Sequence, residues 1–158
     1  MAKKTTKKAK ATPTDADLLL KLYDLRREAV MRKAREFVTT QFWPQSYEEF
    51  KAVSIAFGTE KNAFLRQVLT FWDMGAAMVL QGAINEDLFF SCNGEPYFLY
   101  AKFKPFIEQT RKEFNSNEFM RPIEELANRT QASRERVKQI EARLKVVATQ
   151  MASAKAAD

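Results

Sequence analysis

Residues 62–82 read NAFLRQVLTFWDMGAAMVLQG. Phe64, Leu65, Val68, Leu69, Phe71, Trp72, Ala76, Met78, Val79 and Leu80 point in nearly every direction around a helix. A surface helix keeps a broad polar face, and this one has little to spare. The stretch therefore predicts a central helix wrapped by the rest of the domain. Thr59 is placed to cap it and Gly82 to close it. Gly75 inside it costs about 1 kcal/mol relative to alanine, which predicts that another helix packs close there.

The surrounding sequence is also helical. With four glycines and five prolines in 158 residues, a turn-rich sandwich or barrel is disfavoured. Thr14 or Asp15 can cap a first helix, with stripes Leu18, Leu22, Leu25, Ala29 and then Val30, Ala34, Phe37, Val38 separated by a phase shift. It should run to about Thr40, before Trp43-Pro44. Ser46 and Glu49 form a capping box for a short helix that Gly58 can end. Asn85-Glu86-Asp87 begins another short helix, stopped by Asn93-Gly94. Pro96 suits a helix start, and Leu99, Phe103, Phe106, Ile107 and Phe114 continue that helix, with a kink expected near Lys104 because of Pro105. Tyr97, Phe98, Tyr100 and Phe103 could form a base-stacking platform, but their helical spacing favours core.

The last segment carries a heptad pattern: Phe119, Ile123, Leu126, Thr130, Ser133, Val137, Ile140, Leu144, Val147 and Met151. No glycine or proline interrupts 123–151, so one long helix is expected, its end free to project and seek a partner. In a parallel pair Arg136 would face Glu141, but Arg129 would face Arg134, so the pattern assigns no orientation. The predicted organisation is an all-α, compact, orthogonal or bundle-like domain over 14–128 around the central helix. A disordered lysine-rich tail (1–13) precedes it; a C-terminal heptad helix (129–151) and a disordered end (152–158) follow.

Charge is unevenly placed. The net charge is +6, of which residues 1–13 carry +5 and residues 126–158 carry +4, leaving −3 for the body. Lys3, Lys4, Lys7, Lys8 and Lys10 suggest weak, salt-sensitive attraction to polyanions. No secretory leader pattern is present, Arg66 and Asp73 interrupt the apolar stretch, and Cys92 has no disulfide partner. These features predict a soluble, cytoplasmic protein without a transmembrane segment.

Much chemistry is excluded. With no histidine, there is no Ser-His-Asp triad and no HExxH site. One cysteine makes no structural zinc site, and glycine-rich phosphate loops and EF-hand spacing are absent. Glu48-Glu49, Glu86-Asp87 and Glu124-Glu125 each follow a helix start, where acids stabilise the dipole. Cys92 lies near Glu86, Asp87 and Glu95, a field that disfavours a reactive thiolate. Asp73, between Trp72 and Met74, is sharper: a buried carboxylate must pair or protonate. Arg26, Arg27 and Arg111 are the candidate partners in a buried ion pair.

Five short runs recur in a known order: Leu25-Arg26-Arg27-Glu28; Phe42-Trp43-Pro44; Phe71-Trp72-Asp73-Met74-Gly75; Gly82-Ala83-Ile84-Asn85-Glu86-Asp87-Leu88; and Lys104-Pro105-Phe106-Ile107-Glu108 before Arg111. In these the segment Leu18–Leu126 resembles a family of bacterial helical domains of unknown function. The resemblance implies a small α-helical domain and a bacterial source, and carries no activity or site residue. The leading expectation is a non-enzymatic interaction or self-association module using Val137, Ile140, Leu144, Val147 and Met151. The alternatives are a polyanion-binding accessory protein recruited to nucleic acid or a membrane surface by the lysine tail, and a ligand or enzymatic cleft near Asp73. No residue is assigned as catalytic, cofactor-binding or metal-binding.

Overall fold

In the computed structural model, residues 9–155 are described, with side chains described through Gln150. Eight α-helices and one π-helical turn form an all-α domain, with no strand among the described residues. The centre is α4, Glu60–Leu80, capped by Thr59, whose hydroxyl accepts the Asn62 N–H. Trp72, Leu65, Val68 and Ala76 are buried, and only a narrow strip through Ala63, Arg66, Thr70 and Met74 faces solvent. The nearly all-round apolar sequence therefore places this helix at the middle, packed by helices from both sides of it in the chain. Gly82 ends it in the left-handed region at φ +76°.

The N-terminal helix differs from the expectation in two ways. First, α1 (Pro13–Arg26) is capped by Thr12 rather than Thr14 or Asp15. Asp15 instead completes the capping box and accepts the Asn85 N–H at 2.6 Å, tying α1 to the start of α5. Second, the helix does not run unbroken to Thr40. It breaks at Arg27-Glu28, and the Glu28 carboxylate caps α2 (Ala29–Glu36) through the Met31 N–H at 2.9 Å. The phase shift between the two stripes is the reason: one straight helix cannot turn both to the same core. Leu22, Ala34, Phe37 and Val38 are buried, whereas Leu25 and Ala29 are exposed.

A π-turn over Phe37–Gln41 follows, closed by the Phe42 N–H on the Phe37 carbonyl at 2.8 Å. The extra residue lets Phe37, Val38 and Phe42 all face inward. Helix α3 (Tyr47–Ser54), capped by Ser46, inserts Phe50 between Phe103 and Phe106 at 5.4 and 5.2 Å between ring centres. Buried Asn62 donates to the Val53 and Ser54 carbonyls, closing the end of α3 with the start of α4.

Helix α5 (Glu86–Cys92), capped by Asn85, brings the Phe89 ring within 3.6 Å of a Cβ built on Gly75, so the expected close approach is made by α5. Helix α6 (Glu95–Phe114) continues through Pro105. The expected single C-terminal helix is two: α7 (Arg121–Arg129) and α8 (Gln131–Lys155), broken at an extended Thr130. Thr130 Oγ1 accepts the Ser133 N–H at 3.0 Å, so the two polar residues that weaken the heptads form a local cap that competes with helix continuation. Helix α7 runs antiparallel to α6, with Arg111 on Glu124 and Asn128 on Tyr100. Helix α8 turns back and runs parallel to α6, with Arg136 on Tyr97 and Glu141 on Lys104. It continues to Lys155, beyond the 151 boundary expected from the heptads.

Candidate functional site

Asp73 projects from α4 toward the start of α7. The α7 N-cap, Met120, has φ +52° and no side-chain cap of its own. Asp73 supplies one from another helix: its Oδ1 accepts the Ile123 N–H at 3.3 Å. The expected ion pair with Arg26, Arg27 or Arg111 is not formed among the described residues. Arg26 and Arg27 lie on and just after α1, with their guanidiniums 5.2 and 5.5 Å from the Tyr23 ring. Arg111 donates to the Phe119 carbonyl at 3.0 and 2.8 Å and to Glu124 at 2.7 Å. Burial pushes the Asp73 carboxyl up to about 6, opposed by the α7 amides and the charge of Arg111.

Asp73 lines a cleft of about 500 Å³. Leu65, Leu69, Phe119 and Met120 make apolar wall, and Phe57, 71% exposed, stands at its rim with Ile55 and Phe114. The hydroxyls of Ser54, Thr70 and Thr110 already donate to carbonyls in their own helices. Arg66, 6.0 Å from the Phe57 ring, and Glu118 also line it. The cleft thus combines a largely apolar lining with a carboxylate held by backbone amides rather than by a side-chain cation.

Among the described residues a largely buried ion pair forms elsewhere. Glu95, whose side chain is 10% exposed, takes Arg35 Nε on both oxygens at 2.9 Å and Arg35 Nη2 at 2.5 Å. Trp72 Nε1 donates to the same carboxylate at 3.0 Å, so one residue joins α2, α4 and α6. Sequence reasoning missed it because an acid just before Pro96 looks like any dipole-stabilising residue at a helix start.

Lys102 was also missed. It is 8% exposed on α6, among Trp43, Phe98 and Phe103. Its Nζ donates to the Val38 carbonyl at 2.7 Å and lies 3.9 Å from the centre of the Trp43 ring. No carboxylate among the described residues pairs with it, and burial lowers the amine to about 7. The only sequence signal was its position in the apolar face formed by Leu99, Phe103 and Phe106.

Of the proposed partner stripe, Val137 is buried, and Ile140 and Leu144 pack against the domain's own core. Arg136 lies 3.4 Å over the Phe90 ring and donates to the Phe90 carbonyl at 2.6 Å, capping the end of α5. Glu141 pairs with Lys104. Val147 is half-buried, its neighbour Val146 is 58% exposed, and the Met151 side chain lies outside the described residues. Lys3, Lys4, Lys7 and Lys8 also lie outside them, while Lys10 is exposed beside Ala9, whose carbonyl accepts Asn85 Nδ2. Tyr97, Tyr100 and Phe103 are buried and Phe98 is half-buried; Cys92 is exposed. Among the described residues no three metal-ligating side chains converge, and no helix is long and apolar enough to cross a membrane.

The fold defines a small helical domain with an acid, Asp73, in a largely apolar cleft and an amine, Lys102, buried among rings. The chain belongs to the family described as Domain of unknown function (DUF4760), which it matches over residues 11–130. No curated protein and no solved structure matches it.

Proposed function

We propose that this protein is a non-enzymatic binding module whose ligand enters the cleft beside Asp73. The ligand class is an amphipathic amine: an apolar body for Leu65, Leu69 and Phe119, and an ammonium for the carboxylate. One observation carries this reading. A half-buried carboxylate on a largely apolar wall takes only backbone amides at the start of α7 and forms no ion pair among the described residues. The amides and the charge of Arg111 compensate this carboxylate only in part, and an incoming ammonium supplies a direct partner. Calorimetric titration with n-octylamine, n-octanol and octanoate tests it. The amine binds most tightly, octanoate is rejected, and Asp73→Asn weakens amine binding by about tenfold while keeping an acceptor for Ile123. Binding strengthens as pH rises through about 6, where the carboxylate ionises. Equal binding of amine and octanoate overturns the reading.

A second reading rests on α8. Val146 is exposed beside Val147 where the helix leaves the core, which favours self-association or partner docking through this distal end rather than through the whole stripe. Light scattering of the full chain and a Val146→Lys/Val147→Lys variant discriminates. A monomeric mass for both rejects self-association.

A further inference from the structure

A groove of about 690 Å³ runs between the Trp43–Gln45 segment, α6 and α8, away from Asp73. Trp43, Pro44, Pro105, Phe106, Leu144 and Ala148 give it apolar walls, and Lys102 lines it. The charged groups around it are Lys104 and Glu108 from α6 and Glu141 and Lys145 from α8; residues 37–45 contribute none. Lys104 and Glu141 neutralise each other. The Lys102 amine is therefore enclosed by rings, held by one carbonyl, and faced by no carboxylate of its own.

We propose that Lys102 is a reactive amine at the wall of this groove and captures small apolar aldehydes as imines. The local arrangement suits each step. Val38 sits in the π-turn, where the Phe42 N–H goes to Phe37 and leaves the Val38 carbonyl to Lys102. A neutral amine keeps one N–H on that carbonyl and has its lone pair free. The lone pair attacks the aldehyde carbon, a C–N bond forms, and the carbonyl π pair moves to oxygen. A proton passes from nitrogen to that oxygen to give the carbinolamine. The nitrogen lone pair then expels the hydroxyl, which leaves as water with a proton from solvent. One aldehyde is consumed and one water released, with no change of oxidation state. The protonated imine retains one N–H, which remains on the Val38 carbonyl. The surrounding rings limit the water that would hydrolyse it. Burial, which lowers the amine to about 7, holds a large neutral fraction at neutral pH.

The test treats the full chain at pH 7 with benzaldehyde and cyanoborohydride, which reduces any imine to a stable amine, and maps each lysine by mass spectrometry. An exposed lysine at its ordinary pKa of about 10.4 is neutral roughly once in two to three thousand molecules at this pH. Lys102 is expected to be labelled at least about tenfold faster than exposed Lys33 and Lys138. Leu144→Trp, which fills the groove, should slow labelling of Lys102 and leave Lys33 unchanged. A Lys102 that labels no faster than the exposed lysines overturns the proposal and makes it a structural cap for Val38. Fast labelling that persists in Leu144→Trp overturns the assignment of the groove.

Discussion

Asp73 and Glu95 are both interior carboxylates, and their neighbours give them opposite characters. Glu95 receives a forked guanidinium and an indole N–H. Asp73 receives only backbone amides at the start of α7, and burial raises its pKa from 3.8 to about 6. The sign of the pH effect follows. Below about 4 the carboxyl is neutral in both folded and unfolded chains. Between about 4 and 6 the unfolded chain releases the proton first, so stability falls as pH rises, and above about 6 the loss is complete. Discounted for partial exposure, the loss is about 1–2 kcal/mol. Asp73→Asn should remove this slope, so urea unfolding at pH 4.5 and 7 should give a smaller difference for the variant than for the natural chain. An unchanged difference would show that Asp73 is not the titrating group. Glu95→Ala, in contrast, leaves the half-buried Arg35 guanidinium without its counter-charge and the Trp72 indole N–H without its acceptor, and should cost about 2–4 kcal/mol. The same unfolding curves, followed by Trp72 fluorescence, report it; a cost below about 1 kcal/mol would contradict the pairing. From sequence, Asp73 stood out because it interrupts an apolar run. Its partner could not be read, because pairing depends on which helix end arrives beside it: α7, fifty residues later, brought an amide rather than an arginine.

Local signals between neighbouring residues translated well into helices. Ser46, Thr59 and Asn85 cap where their spacing says, because a hydroxyl or amide three residues from a free N–H needs nothing from the rest of the chain. The failures lie where two local signals compete. Leu18 to Val38 holds enough helix formers for one element, yet Glu28 caps a second, and the two stripes reach the core only through the break. Ile123 to Met151 holds a heptad pattern, yet Thr130 and Ser133 form a cap inside it. At Gly75 the expected neighbouring helix is α5, and a Cβ there would meet Phe89 at 3.6 Å, an ordinary contact. Gly75→Ala should therefore stabilise the protein by about 0.5–1 kcal/mol through helix propensity. Thermal unfolding measures it, and a lowered midpoint would mean that the Phe89 ring cannot accommodate the methyl group.

Across the whole molecule, the family match ends at Thr130, the residue where α7 gives way to α8. Helix α8 nonetheless completes this chain's interior: Ser133 and Val137 are buried, Ile140 and Leu144 pack on the core, and Arg136 closes the end of α5. Burial of these three aliphatic side chains alone is worth about 3–5 kcal/mol. A chain ending at Thr130 should lose at least that much, or fail to fold cooperatively, in urea unfolding. An unchanged midpoint would show that α8 is dispensable to the core. The all-α class and the central helix were visible from composition and apolar spacing. The docking of α8 on its own domain was not, since a heptad stripe reads the same whether it covers a second chain or the helix beside it.

Parallel docking of α8 along α6 has a consequence for biosynthesis. The strip of α6 around Tyr97 and Lys104 is translated well before the residues that cover it. During translation the nascent polypeptide carries this strip bare while Val137, Ile140 and Leu144 remain to be made. Closure must wait until α8 clears the ribosome, and in that interval the greasy strip is a target for chaperones and for neighbouring unfinished copies.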